Sequence, residues 1–152
     1  MALTARDLMT REVVTIPATM SLGEAWRRLT EHKINGAPVI DDSGHLVGVI
    51  SQTDLAAKAF TDRFDPSRAS SFYHAIPFSE DGPHELTGSR EEILRIPVAE
   101  LMNPYVIAVE ETDRIQLIAQ LMRNRRIHRV IVAEHNRVTG ILSALDLLKA
   151  LE

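Results

Sequence analysis

Two short strings in this chain set a hydroxyl and a carboxylate at a fixed interval: Ser51-Gln52-Thr53-Asp54 and Ser143-Ala144-Leu145-Asp146. An apolar run led by glycine precedes each serine, Gly48-Val49-Ile50 and Gly140-Ile141-Leu142, and a helix-like stretch follows each aspartate. The pattern predicts a strand that turns into a helix, with serine and aspartate at the corner. Such a corner presents helix-start amides beside a fixed anion, a combination able to grip a sugar-phosphate. The same spacing is that of a capping box, in which the two side chains serve only the helix start. Spacing alone leaves both readings open.

Little else in the composition points to catalysis. With 152 residues, 45% hydrophobic and 25% charged, the chain can form one core or two small halves packed together. A net charge of −4 argues against a whole-molecule polyanion binder. Cysteine is missing, which excludes disulfides and thiolate metal sites and suits a reducing cytoplasm. The first residues hold no apolar run of signal-peptide or membrane-span length, so a soluble cytoplasmic protein without membrane contact is expected. His32, His45, His74, His84 and His135 lack ligand spacing, and there is no nucleophile elbow or phosphate-binding glycine loop. No catalytic residue, no metal and no enzymatic activity are expected.

The elements that must position the two corners come in duplicate. Residues 3–10 match residues 96–103 at an offset of 93, each a short helical turn, with Pro97 suited to a first helical position. Strand candidates follow at 13–16 and 106–109. Ser21-Leu22-Gly23-Glu24 has capping-box spacing, with Asp113-Arg114-Ile115-Gln116 a looser counterpart. Leu22, Ala25, Trp26 and Leu29, and then Ile115, Ile118, Ala119 and Met122, mark amphipathic helices. Hairpins are expected next, 37–40 to 46–50 around a turn at 41–44, and 130–133 to 138–142 around a turn at 134–137. The second turn is one residue shorter, and helices are expected to close the units at 55–60 and 147–151.

The predicted organisation is therefore α+β. A first repeat at 1–60 and a second at 96–152, each helical turn-β-α-β-β-α, pack sheet to sheet about a pseudo-two-fold axis. Between them, 61–95 stands once only. It holds Pro66, Pro77 and Pro83 with Phe64, Phe72, Tyr73 and Phe78, a composition that predicts a connector pinned to the body by its aromatics, with a lid over a ligand or a partner-docking loop as the alternative. A helical turn is expected at 89–94.

The ordered pair of units resembles the paired cystathionine-β-synthase (CBS) domain module over residues 3–59 and 96–151. The likeness rests on Asp7-Leu8-Met9-Thr10, Ala37-Pro38-Val39-Ile40-Asp41 and the string from Gly48 to Asp54, with their repeat partners. The stretch Ile127-His128-Arg129-Val130-Ile131-Val132, with residues 140–151, also resembles a repeat of the γ subunit of AMP-activated protein kinase. This resemblance implies a sensor that takes an adenosyl effector (AMP, ADP, ATP or S-adenosylmethionine) in two clefts between the halves, without a resident cofactor. It further implies a homodimer and a separate regulated partner.

Carried over residue by residue, the resemblance makes Asp54 and Asp146 the acceptors of a ribose diol, with Ser51, Thr53 and Ser143 beside them. Leu145 stands where the first repeat has Thr53 and offers no hydroxyl, so the second cleft is expected to fill less completely. His128 and Arg129 match a phosphate-contacting pair. In the first repeat Asn35-Gly36 replaces that pair, leaving the charge to Lys33 or to residues reaching across. Thr15, Ala37, Pro38, Ala108, Val130 and Ile131 fall at the strand edges that hold adenine, where core packing is an equal alternative. Two other readings compete: a ligand-independent dimerisation module, and nucleic-acid binding through Arg123, Arg125, Arg126 and Arg129. Net charge and the lack of a basic-aromatic surface argue against the latter.

Overall fold

The computed structural model describes residues 2–61, 70–75, 78 and 91–152. The first repeat runs α1 (Ala5–Leu8), β1 (Ile16–Pro17), α2 (Leu22–Glu31), β2 (Gly36–Ile40), β3 (Leu46–Ser51), α3 (Gln52–Thr61). After α4 (Glu91–Leu94), the second repeat runs α5 (Val98–Leu101), β4 (Ala108–Val109), α6 (Ile115–Arg125), β5 (Arg129–Glu134), β6 (Arg137–Ser143), α7 (Ala144–Leu147). Each repeat makes one three-stranded sheet, β1-β2-β3 and β4-β5-β6, parallel in its first pairing and antiparallel in its second. The expected α+β class and unit order are present.

Helical period decides what the long helices bury. α2 turns Leu22, Ala25 and Leu29 inward, and Trp26 packs half-buried against the same core. Ser21 accepts the amide of Glu24 at 3.3 Å, so the first cap is made. α6 buries Ile115, Ile118 and Met122, but Ala119, placed on the stripe from sequence, is exposed. Its cap differs too: Arg114 stands at the N-cap without a side-chain bond, while the Asp113 carboxylate closes the preceding turn on the Glu110 amide at 2.9 Å.

The outer strands are shorter than 13–16 and 106–109. β1 pairs with β2 only at Ile16 and Pro17, and β4 with β5 only at Ala108 and Val109. The final helix at 147–151 resolves into four α-helical residues and then a 3-10 turn, Leu148–Leu151. The hairpins lie where expected, and the shorter second turn holds His135 and Asn136 at φ 51° and 63°. Of the turn expected at 89–94, α4 supplies 91–94; Ser89 and Arg90 lie outside the described residues.

What joins the halves is an exchange of segments. α1 leaves its own repeat and docks on the second, with the Ala5 amide on the Asp113 carbonyl and the Arg6 amide on the Glu111 carbonyl. α5 answers by docking on the first, the Val98 amide on the Met20 carbonyl and the Ala99 amide on the Ala18 carbonyl. Thr10 then bridges to Ile141, and Asn103 to Val49, positions related by the repeat. Accordingly Ala5 and Met9 lie in the second core, and Val98 and Leu101 in the first. Leu46 and Val49 of β3 also reach the second core, so the sheets meet across the seam. Paired, mutually exchanged contacts are what a pseudo-two-fold axis produces. A half removed from its partner would leave its own core incomplete.

Candidate functional site

Both corners form as the Ser-x-x-Asp spacing requires. Ser51 ends β3, is fully buried, and accepts the Asp54 amide at 3.1 Å. Ser143 ends β6 and accepts the Asp146 amide, also at 3.1 Å. Behind each serine the chain is held alike: the Gln52 amide reaches the Asn35 carbonyl at 2.6 Å, and the Ala144 amide reaches the His128 carbonyl at 2.8 Å. The helix-start amides are thus partly used by the corner itself, as a capping box uses them.

Beyond that point the two corners differ. At the first, residues 70–75 pack between β3 and β5 as a single 3-10 turn, Ser71–His74. Ser70 donates its hydroxyl to Asp54 Oδ2, and the hydroxyls of Ser71 and Ser51 meet at 2.6 Å. Phe72 and Tyr73 are fully buried and cross edge to face, ring centroids 5.2 Å apart. The Tyr73 phenol oxygen accepts the Ile107 amide at 2.8 Å, and its carbonyl accepts the His128 amide at 2.7 Å. Burial holds that phenol protonated well above the usual tyrosine range.

Arg129 reaches the same segment from the other repeat. Its guanidinium lies 3.8 Å from the centre of the Phe72 ring, and its Nε donates to the Phe72 carbonyl. Burial pushes this group down to about 10, with Tyr73 opposing, so it stays charged at neutral pH. Its Nη2 is buried and finds no acceptor among the described residues; the same holds for Asn35 Nδ2. Gly36, the repeat counterpart of Arg129, also borders Phe72. A Cβ there would lie 2.4 Å from the Ile50 carbonyl oxygen and 3.2 Å from the Phe72 ring. The position therefore admits only glycine without a shift of backbone.

At the second corner the carboxylate is engaged locally. Asp146 Oδ2 takes the Ser143 amide at 2.9 Å, completing both arms of a capping box, and Oδ1 lies 3.1 Å from Lys149 Nζ. Leu145 projects into solvent at 75% exposure, where Thr53 stands exposed in the first repeat.

The structure sets the remaining sequence-derived residues as follows. Arg129 and Asp54, from opposite repeats, both engage the 70–75 segment, Arg129 at the Phe72 carbonyl and Asp54 at the Ser70 hydroxyl. His128 is exposed, its ring 6.4 Å from that of His74. Lys33 is exposed in the turn after α2 with φ 51°, and no contact brings it to a corner among the described residues. Ala37, Pro38, Val130 and Ile131 are buried, Thr15 is half-buried just ahead of β1, and Ala108 is exposed on β4. Arg123, Arg125 and Arg126 are exposed, and Arg125 donates to the Tyr105 hydroxyl. Sequence reasoning found the anchoring role of Phe72 and Tyr73. It missed Ser70 and Ser71, whose signal was two hydroxyls directly before an aromatic pair. Phe78 is half-buried; Phe64, Pro66, Pro77, Pro83 and His84 lie outside the described residues. Among the described residues no group of three or more His, Asp or Glu could hold a metal, and no helix is long and apolar enough to cross a membrane.

Two exchanged repeats with a corner each define the class: the chain belongs to the CBS domain family, whose model matches residues 5–60 and 98–152. Among solved structures it is similar to the CBS domain of a CBS domain containing membrane protein from Sphaerobacter thermophilus, at 28% identity and TM-score 0.71 over 97% of this chain and 87% of that one. Protein MJ1225 from Methanocaldococcus jannaschii, proposed as an archaeal homologue of g-AMPK, aligns at 26% identity and TM-score 0.73, over 99% of this chain and 48% of that one. The CBS domain pair of protein MJ0100, solved with 5-methylthioadenosine and S-adenosyl-L-methionine, shares the fold at 23% identity and TM-score 0.65, over 99% and 97% of the two chains. The chain spans 30% of the length of the first curated relative it matches, a protein of Methanocaldococcus jannaschii, at 27% identity over 93% of this chain.

Proposed function

We propose that this chain is a regulatory module that binds an adenine nucleotide (AMP, ADP or ATP, or the related S-adenosylmethionine) at the seam between its repeats and signals to a separate partner. One observation carries the reading: the Asp54 carboxylate holds the Ser70 hydroxyl, and Arg129 reaches the same segment from the other repeat with a buried donor that finds no acceptor among the described residues. A diol acceptor and a cation from opposite repeats, both in contact with one short segment, are the groups a nucleoside phosphate requires. Asp54 and Asp146 would take ribose, with Ser51, Thr53 and Ser143 beside them. Arg129, with His128 and Lys33, would take phosphate. Ala37, Pro38, Val130 and Ile131 are buried, so their share in holding adenine is through backbone groups, with Thr15 and Ala108 at the rim. The adenosyl ligands of the MJ0100 pair lend support by likeness.

A thermal-shift panel of AMP, ADP, ATP, NAD and S-adenosylmethionine tests this. Saturating nucleotide at a hundred times its dissociation constant stabilises by ~2.7 kcal/mol. Asp54→Ala should erase most of the shift. No response to any member would end the proposal.

A second reading has its own support. Leu117 on α6, Leu145 on α7 and Leu148 and Leu151 beyond it are all exposed, an apolar set suited to a homodimer that needs no ligand. Sedimentation of Leu145→Glu against the parent chain distinguishes a dimer built on this face from one built elsewhere.

A further inference from the structure

Residues 70–75 do to the first corner what a ligand would do. Ser70 supplies the hydroxyl that Asp54 accepts, and Ser71 supplies the one that meets Ser51. Phe72 lies under the Arg129 guanidinium and borders bare Gly36, where a Cβ would stand 3.2 Å from its ring. The Phe72 carbonyl takes Arg129 Nε, as a phosphate oxygen would. The candidate sugar acceptor and the candidate cation are therefore both engaged by the protein's own chain. A carboxylate oxygen that holds Ser70, and a guanidinium stacked on Phe72, are not free for a nucleotide. By contrast Tyr73 is held elsewhere, through its phenol oxygen on Ile107 and its carbonyl on His128. It is the anchor from which the preceding three residues could lift.

We propose that Ser70, Ser71 and Phe72 form an internal competitor for the first cleft, which an adenine nucleotide must displace, so that occupancy is read out as release of this segment while Tyr73 stays docked. The inference rests on the nucleotide-binding reading above and adds its regulation. Its consequence is quantitative. Apparent affinity is the intrinsic affinity multiplied by the fraction of time the segment is lifted, so anything that loosens the segment tightens binding.

Two measurements test it. In Ser70→Ala/Ser71→Ala the lost hydroxyl contacts each shift the docked fraction by roughly two- to tenfold. ATP and AMP should then bind about tenfold more tightly than to the parent chain in calorimetry. Because the chain holds no cysteine, Ser70→Cys places a sole thiol at a buried position. Maleimide labelling of that thiol should be slow alone and at least fivefold faster with saturating ATP. If nucleotide binds, Asp54→Ala abolishes binding, and yet neither the double variant tightens it nor ATP speeds labelling, displacement is wrong and the nucleotide site stands. If neither the parent nor the double variant binds AMP or ATP, both proposals fall.

Discussion

The Ser51–Asp54 and Ser143–Asp146 corners share a motif, a place in the fold and the same backbone bond behind the serine, yet their carboxylates are spent differently. The first accepts a hydroxyl from a segment 16 residues further on, and that segment reaches across to Arg129 of the other repeat. The second keeps to itself: its oxygens serve Ser143 three residues before it and Lys149 three residues after. Duplication has preserved the frame, meaning the exchanged helical turns and the strand-to-helix corner, because both cores depend on them. The occupants were free to diverge, because 61–95 exists only once and can fill only one side. The two corners can thus lose their symmetry while the fold around them keeps it.

The sharpest way to break the comparison is to remove the occupant of the first side. Phe72 is fully buried in the second core, flanked by Arg129 and Gly36, and it has no repeat partner. Phe72→Ala should cost ~3–5 kcal/mol in chemical denaturation, the range for emptying a buried aromatic site. A loss under about 1 kcal/mol would mean that the segment lies on the body without being part of its core.

The frame should respond evenly where the occupants do not. A Cβ on Gly48 would stand 2.7 Å from Met102 sulfur and 2.8 Å from the Asn103 carbonyl oxygen; on Gly140 it would stand 2.6 Å from Met9 sulfur and 3.0 Å from the Thr10 carbonyl oxygen. Both glycines let the exchanged segment of the other repeat pass close over the strand. Gly48→Ala and Gly140→Ala should each cost about 1–3 kcal/mol, as overpacking does, and by similar amounts. If one variant melts like the parent chain and the other is lost, the exchange is not symmetric in energy.

Much of this frame was legible before any coordinates. Two copies of one pattern gave the unit order, the hairpins and both corners, since hydrophobic period and turn residues act locally. The exchange of α1 and α5 was not legible: the helical turns at 3–10 and 96–103 were assigned to their own repeats, and only distance in space shows that Ala5, Met9, Val98 and Leu101 serve the other core. Ser70 and Ser71 were hidden for a related reason. Hydroxyls in a connector have many local uses, and nothing in spacing says that they reach Asp54 and Ser51. Arg129 was singled out for its charge, but its place over Phe72 depends on the seam.

Lys149→Ala sharpens the contrast at the second corner. Lys149 is half exposed, so its pairing with Asp146 is worth only ~0–1 kcal/mol, and the variant should melt close to the parent chain. It should nonetheless uncover Asp146 and raise nucleotide affinity at the second cleft a few-fold, visible as an added binding phase in calorimetry. The result to look for against it is a single unchanged phase, which would mean that Lys149 does not guard the carboxylate. Adding Leu145→Thr to restore the hydroxyl of the first repeat should enlarge the gain.

The smallest effect belongs to the two hairpin turns, which differ as the corners do. The Asp41 carboxylate takes the amides of His45 and Ser43, each at 2.9 Å, while the shorter turn at His135 and Asn136 relies on left-handed backbone. The His45 amide is the largest cause holding the Asp41 carboxyl below its ordinary 3.8; burial opposes it and the Ser43 amide assists. A carboxyl depressed in the folded state binds its proton more readily once unfolded. Its contribution is therefore fully present above the unfolded value near 3.8 and is lost as pH falls through the lower folded one. Asp41→Asn should melt slightly below the parent chain at neutral pH, and the gap should close in strong acid. A gap that persisted in acid would place the difference in the turn's packing, outside the charge on Asp41.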